Sequence, residues 1–134
     1  ETGRDAGVSK RRGAGRMSLT AKMRDVAIRD IGCICCLRRG IFSHCAKHHL
    51  ISTGHHGNGK RRGEQFTIGL CDYHHQGGAS VGGSRAREMA HNYGPSYADN
   101  AREFRDVFGD DESLLAEQDR LIDIWRNSII GAVA

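Results

Sequence analysis

The sequence predicts a small α+β domain built around an embedded metal site, with a helix before it and a helical segment after it. Three observations carry that expectation. Five cysteines and eight histidines crowd a chain of 134 residues, and six of them form three pairs at i, i+3 spacing: Cys33 with Cys36, Cys45 with His48, and Cys71 with His74. Two short strand-like runs lie among these pairs. Apolar residues at helical spacing mark both flanks.

The length suits one domain. With 38% hydrophobic residues, 6% aromatics and 18 glycines, the core is lean, and a chain of this size needs something besides packing to hold it. No apolar stretch approaches the ~18–20 residues of a membrane helix, and no charged segment leads into a signal-peptide run. A soluble, intracellular protein is expected. The net charge of +4 conceals an asymmetry: residues 1 to 63 hold 14 Lys/Arg against 4 Asp/Glu, and residues 64 to 134 hold 6 against 12. Clustered cations release counterions from a phosphate backbone, so the N-terminal half is the candidate nucleic-acid face.

Taken in order, residues 1–17 form a basic tail with too few apolar side chains to repay ordering entropy, and residues 18–134 form the folded domain. Leu19, Met23, Val26 and Ala27 share one face of a helix over about 19 to 31, with Ser18 or Thr20 as cap and Gly32 past its end. Residues 33 to 45 read as a Cys-rich turn, followed by a short strand through His48, His49, Leu50 and Ile51. The stretch STGHHGNGKRRG is loop. Residues 66 to 70 form a second strand running into Cys71-Asp72-Tyr73-His74-His75, and the segment from Gln76 to Ser84 reads as loop again. The metal-bearing core thus spans about 33–83 and the C-terminal helices about 84–130. Ser84 is the expected cap of a helix stopped by Gly94-Pro95. Ser96 is the expected cap of the next, carrying Tyr97, Ala101, Phe104 and Phe108, and Asp110 or Asp111 opens the last. Its stripe of Leu114, Leu115, Gln118, Leu121, Ile122, Trp125 and Ile129 is core.

Two i, i+3 pairs from distant parts of the chain complete a tetrahedral zinc site. The favoured partition is Cys33, Cys36, Cys71 and His74, which cross-links the first turn to the end of the second strand; the rival is Cys33, Cys36, Cys45 and His48. Under the favoured partition, Cys35 and Cys45 are spare thiols. His48, His49 and His75 are then left over. Adjacent strand residues point to opposite sides, so one imidazole can bind a second metal while its neighbour holds a water. Phosphodiester hydrolysis by a single ion needs that division of labour. Lys60, Arg61 and Arg62, in a glycine-rich loop beside this cleft, suit contact with phosphates. His55 and His56 lie in the same loop, while His44 and His91 read as structural or surface residues, and Tyr73 and Trp125 as packing.

The order C-x-x-C, His-His, strand, Leu-Cys-x-x-His-His resembles an HNH (ββα-metal) endonuclease with an embedded zinc site. More closely, CICC, KHHLISTG, FTIGLCDYHH and the tail YGPSYADNAREFRDVFGDDESLLAEQDRLI resemble the phage recombination-enhancement (Ref-type) RecA-dependent nucleases, over roughly residues 18 to 125. The resemblance implies a general base at His49, ligands of a catalytic divalent ion (Mg, Mn, Zn or Ni) at His48 and His75, and structural zinc on Cys33, Cys36, Cys71 and His74. It also implies a DNA-gripping tail at Lys10, Arg11, Arg12 and Arg16, RecA filaments as partner, and the cytoplasm of a bacterial host cell as location. Two positions depart from the HNH pattern. Glu64, Gln65 and Phe66 stand where an Asn or acidic residue often precedes the second strand's end, so Glu64 is a candidate to bind or orient the metal. Ala79 stands where a further ligand would follow His75 by four residues, which leaves an open coordination shell. The expected function is metal-dependent DNA cleavage directed by RecA filaments. The alternatives are a non-catalytic zinc-stabilised nucleic-acid-binding module and a protein that docks on a partner through its acidic C-terminal helices.

Overall fold

In a computed structural model, which describes residues 19–50 and 63–133 with side chains to residue 129, Thr20 opens the first helix. Its Oγ1 accepts a hydrogen bond from Met23 N at 3.1 Å, and helix α1 runs over Ala21–Ile31 until Gly32 N donates to Ile28 O at 2.9 Å. The Cys-rich turn contains one helical turn of its own, α2 (Ile34–Leu37), with Ile34, Cys35 and Cys36 buried. Strand β1 (Ala46–His49) stops two residues short of the expected end. Leu50 N still donates to Phe66 O at 3.0 Å, and Ile51 lies outside the described residues.

Strand β2 (Thr67–Leu70) pairs antiparallel with β1, His48 opposite Ile68 and His49 opposite Thr67. Phe66, expected in the strand, instead closes a 3-10 turn over Glu64–Phe66. All four residues of β2 are buried, because α1 and the last helix pack against the hairpin. Helix α3 (Asp72–Gln76) follows at once, with Cys71 as its cap. The segment expected as loop contains helix α4 (Gly78–Val81) and the start of α5 (Gly83–Tyr93). Gly77 and Gly82, at φ +68° and +88°, break the chain between these helices, a conformation open to glycine at little steric cost. Gly82, not Ser84, is therefore the residue that precedes α5.

Ser96 does not cap a helix. Its Oγ accepts from Asp99 N within a turn at 3.1 Å, while Asn100 Oδ1 accepts from Glu103 N at 3.0 Å and caps α6 (Ala101–Phe108). A turn was the better use of Ser96 because its backbone must stay close to α3, where Tyr97 N donates to His74 O at 2.8 Å. Asp110 Oδ1 accepts from Ser113 N at 2.8 Å and leads into α7 (Asp111–Val133). Among the described residues, no helix is long and apolar enough to cross a membrane. Lys10, Arg11, Arg12, Arg16, Lys60, Arg61 and Arg62, with His55 and His56, lie outside the described residues.

Ile34, Ile68, Leu70, Phe104 and Leu114 form the main core, and Ala27, Ile28 and Ile122 a second cluster beneath α1. Two polar side chains knit these layers together. Gln118, fully buried on α7, accepts through Oε1 from Gly69 N at 2.7 Å and so satisfies a donor on β2. Arg24 on α1 spreads its guanidinium over Thr67 Oγ1 (3.1 Å), Thr67 O (2.7 Å) and Asp119 Oδ1 (2.8 Å), joining α1, β2 and α7. A lysine has the charge but lacks the planar fork. Arg24→Lys is therefore expected to destabilise the fold by about 1–3 kcal/mol, read as a lower midpoint in urea denaturation; an unchanged midpoint would remove Arg24 from the framework.

Candidate metal centre and active site

Cys33 and Cys36 occupy the cap and third position of α2, and Cys71 and His74 occupy the cap and third position of α3. Each short turn aims two ligand atoms inward. Packing α2 against β2 brings all four together, with their donor atoms within 4.8 Å of one another. His74 Nδ1 is 3.5 Å from Cys33 Sγ, 3.6 Å from Cys36 Sγ and 3.3 Å from Cys71 Sγ, and Cys36 Sγ lies 3.9 Å from Cys71 Sγ. A tetrahedron with metal–sulfur bonds of about 2.3 Å and a metal–nitrogen bond of about 2.0–2.1 Å has edges of about 3.8 Å between sulfurs and about 3.5 Å from sulfur to nitrogen. The donor set and these four edges fit, and the cluster could hold a structural metal such as zinc.

The surroundings are arranged for that use. His74 Nε2 donates to Tyr93 O at 2.9 Å, which places the ring proton on Nε2 and turns Nδ1 towards the three sulfurs. Burial works against a charged His74, yet its bonds to the three cysteines push it up to about 12. Cys33 is lowered to about 5, mainly by hydrogen bonds from Cys35 and Cys36. A proton held between the His74 ring and the Cys33 sulfur stands where a cation would bind. Cys35, whose bond to Cys33 and whose burial raise it well above an ordinary thiol, stays protonated as a donor to Cys33. Cys45 donates to Ile28 O at 3.3 Å, and burial raises it to about 11. The rival partition through Cys45 and His48 is not assembled.

Two further histidines, His48 and His49, lie on β1. Alternation along the strand puts Lys47 and His49 on one side and His48 on the other. His49 Nε2 meets Glu64 Oε2 at 2.9 Å, and Lys47 Nζ donates to Glu64 Oε1 at 2.7 Å. The bonds from Lys47 and His49 hold the Glu64 carboxyl down at about 2, so it is an acceptor at every pH near neutrality. On the opposite side, His48 Nδ1 lies 3.1 Å from His75 Nε2, with ring centroids 4.5 Å apart. Two nitrogens about 2.1 Å from one ion, at 90–109° to each other, lie about 3.0–3.4 Å apart. The same separation also suits a hydrogen bond between two imidazoles.

The structure thus brings together the four residues expected to bind zinc, and it pairs His48 with His75 and His49 with Glu64. Sequence reasoning left the role of Glu64 open. The usable signal was register: His49 lies opposite Thr67, which sets the residues just before β2 beside it. Tyr97, whose ring lies 5.2 Å from that of His48, figures in the sequence only as one apolar position on a helix face. Its neighbourhood depends on the Tyr97–His74 backbone bond, which no local pattern shows.

If the cluster binds zinc, the purified protein will carry a tightly held metal, and cobalt substitution will give the visible bands of a tetrahedral thiolate site. Cys36→Ser should lose the metal and several kcal/mol of stability, while Cys45→Ser keeps the metal. A metal-free protein as stable to heat as the metal-loaded one would rule the centre out.

A family model described as "Recombination enhancement, RecA-dependent nuclease" matches residues 19–123. No curated protein and no solved structure matches. The matched span takes in the Cys/His cluster, both sides of β1 and all of the chain from α1 to the middle of α7. On that extent, the chain belongs to the recombination-enhancement, RecA-dependent nuclease family.

Proposed function

We propose that the protein is a metal-dependent DNA endonuclease of the HNH (ββα-metal) type, directed by RecA filaments in phage or prophage recombination inside a bacterial cell. The observation that carries this reading is the second set of histidines: after the zinc ligands are assigned, His48 and His75 still present two nitrogens 3.1 Å apart beside a strand that also holds His49 against Glu64. A hairpin followed at once by a helix, with ligands on the first strand and on the helix, is the layout that the ββα-metal resemblance requires.

His48 and His75 would hold one divalent ion, which supplies Lewis acidity to the scissile phosphate and to the departing 3′ oxygen. Glu64 accepts the Nε2 proton of His49 and so fixes the tautomer with Nδ1 as the free base. That atom takes the proton from the attacking water. Attack at phosphorus with loss of the 3′ oxygen leaves a 5′-phosphate and a 3′-hydroxyl. Lys47 neutralises Glu64 and prevents an unpaired carboxylate from repelling the phosphate. The cations at Lys10, Arg11, Arg12 and Arg16, and at Lys60, Arg61 and Arg62, supply sequence-independent attraction to the backbone.

A second reading, a zinc-stabilised nucleic-acid-binding module without catalysis, is favoured by the same 3.1 Å separation if the two imidazoles merely bond to each other. Cleavage of single-stranded and duplex DNA with Mg or Mn, with and without RecA filaments and ATP, separates the two. His49→Ala should lower cutting by about 10²–10⁴-fold and leave DNA affinity intact, and Glu64→Gln should lower kcat by about tenfold or more. Robust cutting by His49→Ala would refute the general base, and DNA binding with no cutting under any condition would establish the binding module. Replacing Lys60, Arg61 and Arg62 together by Gln should weaken binding and flatten its salt dependence; an unchanged slope would remove the loop from the interface.

A further inference from the structure

Arginines in this fold divide by how they are used. Arg24 makes three bonds of 2.7 to 3.1 Å with its side chain 10% exposed, and Arg120 and Arg29 lie against Glu117 and Asp25 on their own helices. Arg105 is different. Its Nη2 donates to the Tyr97 hydroxyl oxygen at 3.3 Å, its Nε stands 3.9 Å from Asp111 Oδ1, and its side chain is 39% exposed. Its guanidinium carbon lies 5.4 Å from the centre of the Tyr97 ring. On its other side, Tyr97 lies 5.2 Å from the His48 ring.

Tyr97 is not free to drift. The Gly94-Pro95 turn returns the chain to α3, where Tyr97 N donates to His74 O at 2.8 Å, and the ring packs edge-on to buried Phe104 at 5.6 Å. Arg105 sits one turn beyond the Asn100 cap of α6. These constraints hold a phenol beside His48 and a cation against that phenol. The Tyr97 oxygen accepts from Arg105, which leaves its own proton to donate, and the guanidinium retains several of its five N–H groups. Both groups are donors, and neither serves the core in the way Arg24 does.

We propose that Tyr97 and Arg105 form a phosphate-binding arm that grips a nucleic-acid backbone phosphate next to the one held at His48 and His75. This deepens the nuclease reading and rests on it for the identity of the neighbouring site. Tyr97 orients the guanidinium and donates one hydrogen bond; Arg105 supplies the charge and the bidentate fork. The arm comes from α6 and the turn before it, outside the hairpin and α3.

The test is binding of a fluorescent single-stranded oligonucleotide at several salt concentrations without added divalent ion, so that affinity is read whether or not the protein cuts. Arg105→Gln should raise Kd by about five- to tenfold and make the slope of log K against log salt about 0.7 less negative. Tyr97→Phe should weaken binding by less and leave the slope unchanged. Arg102→Gln removes the same charge from the exposed side of the same helix and should change binding less than Arg105→Gln. Equal losses at Arg102 and Arg105, or unaltered affinity in a folded Arg105→Gln protein, would overturn the arm. If Arg105→Gln lowers the melting temperature, Arg105→Lys carries the test: weaker binding with the slope kept supports the arm, and wild-type binding overturns it. Arg105-dependent binding by a protein that never cuts would discard the nuclease reading and leave the arm standing.

Discussion

Three sulfurs and one imidazole nitrogen within 4.8 Å of one another are the constraint on which the rest depends. The described sheet has two strands, and a lone hairpin is marginal in water. A metal held there would tie α2 to the cap of α3 and clamp the end of β2 from both sides, between α1 and α7. The polar ties of Arg24 and Gln118 hold the rest of the hairpin. Without a cation, the buried thiols and His74 are polar groups facing one another in a lean core, at a cost in desolvation.

The two sides of β1 give that anchored strand its chemistry. Period-two alternation sends His48 towards α3 and His49 towards the turn at Glu64, so neighbours in sequence enter different environments. One meets a second imidazole; the other meets a carboxylate held ionised by Lys47. The roles proposed for His49 as general base and His48 as metal ligand would need that separation, since an imidazole bound to an ion through its free nitrogen has no lone pair left for a proton.

Much of this was legible in the sequence because it rests on short spacings. The i, i+3 pairs, the caps at Thr20 and Asp110, and the stripe on α7 are local signals, and they predict the zinc partition and the flanking helices, although the stripe ends before Ile129, which is exposed. Ser96 and Ser84 show where local signals stop. Each has the chemistry of a cap, yet tertiary placement gave the capping of α6 to Asn100 and the start of α5 to Gly82. The helices within 76 to 84 were hidden because glycine lowers helix propensity while also supplying the breaks between short turns. Glu64 and Arg105 acquire their neighbours through strand register and through the return of the chain to His74, and those depend on distances in space.

His74 and His75 are consecutive, yet their side chains join different centres: His74 lies among the three sulfurs and His75 meets His48. One peptide unit, about 3.8 Å between Cα atoms, fixes the offset between those centres. The same holds between His48 and His49. Length variation therefore has little room at these junctions, because one added residue would rotate a side chain out of one cluster as it displaced the other. A sequence that keeps both clusters has to keep them as a single unit, with room for insertions and deletions in segments such as the one between β1 and the turn at Glu64.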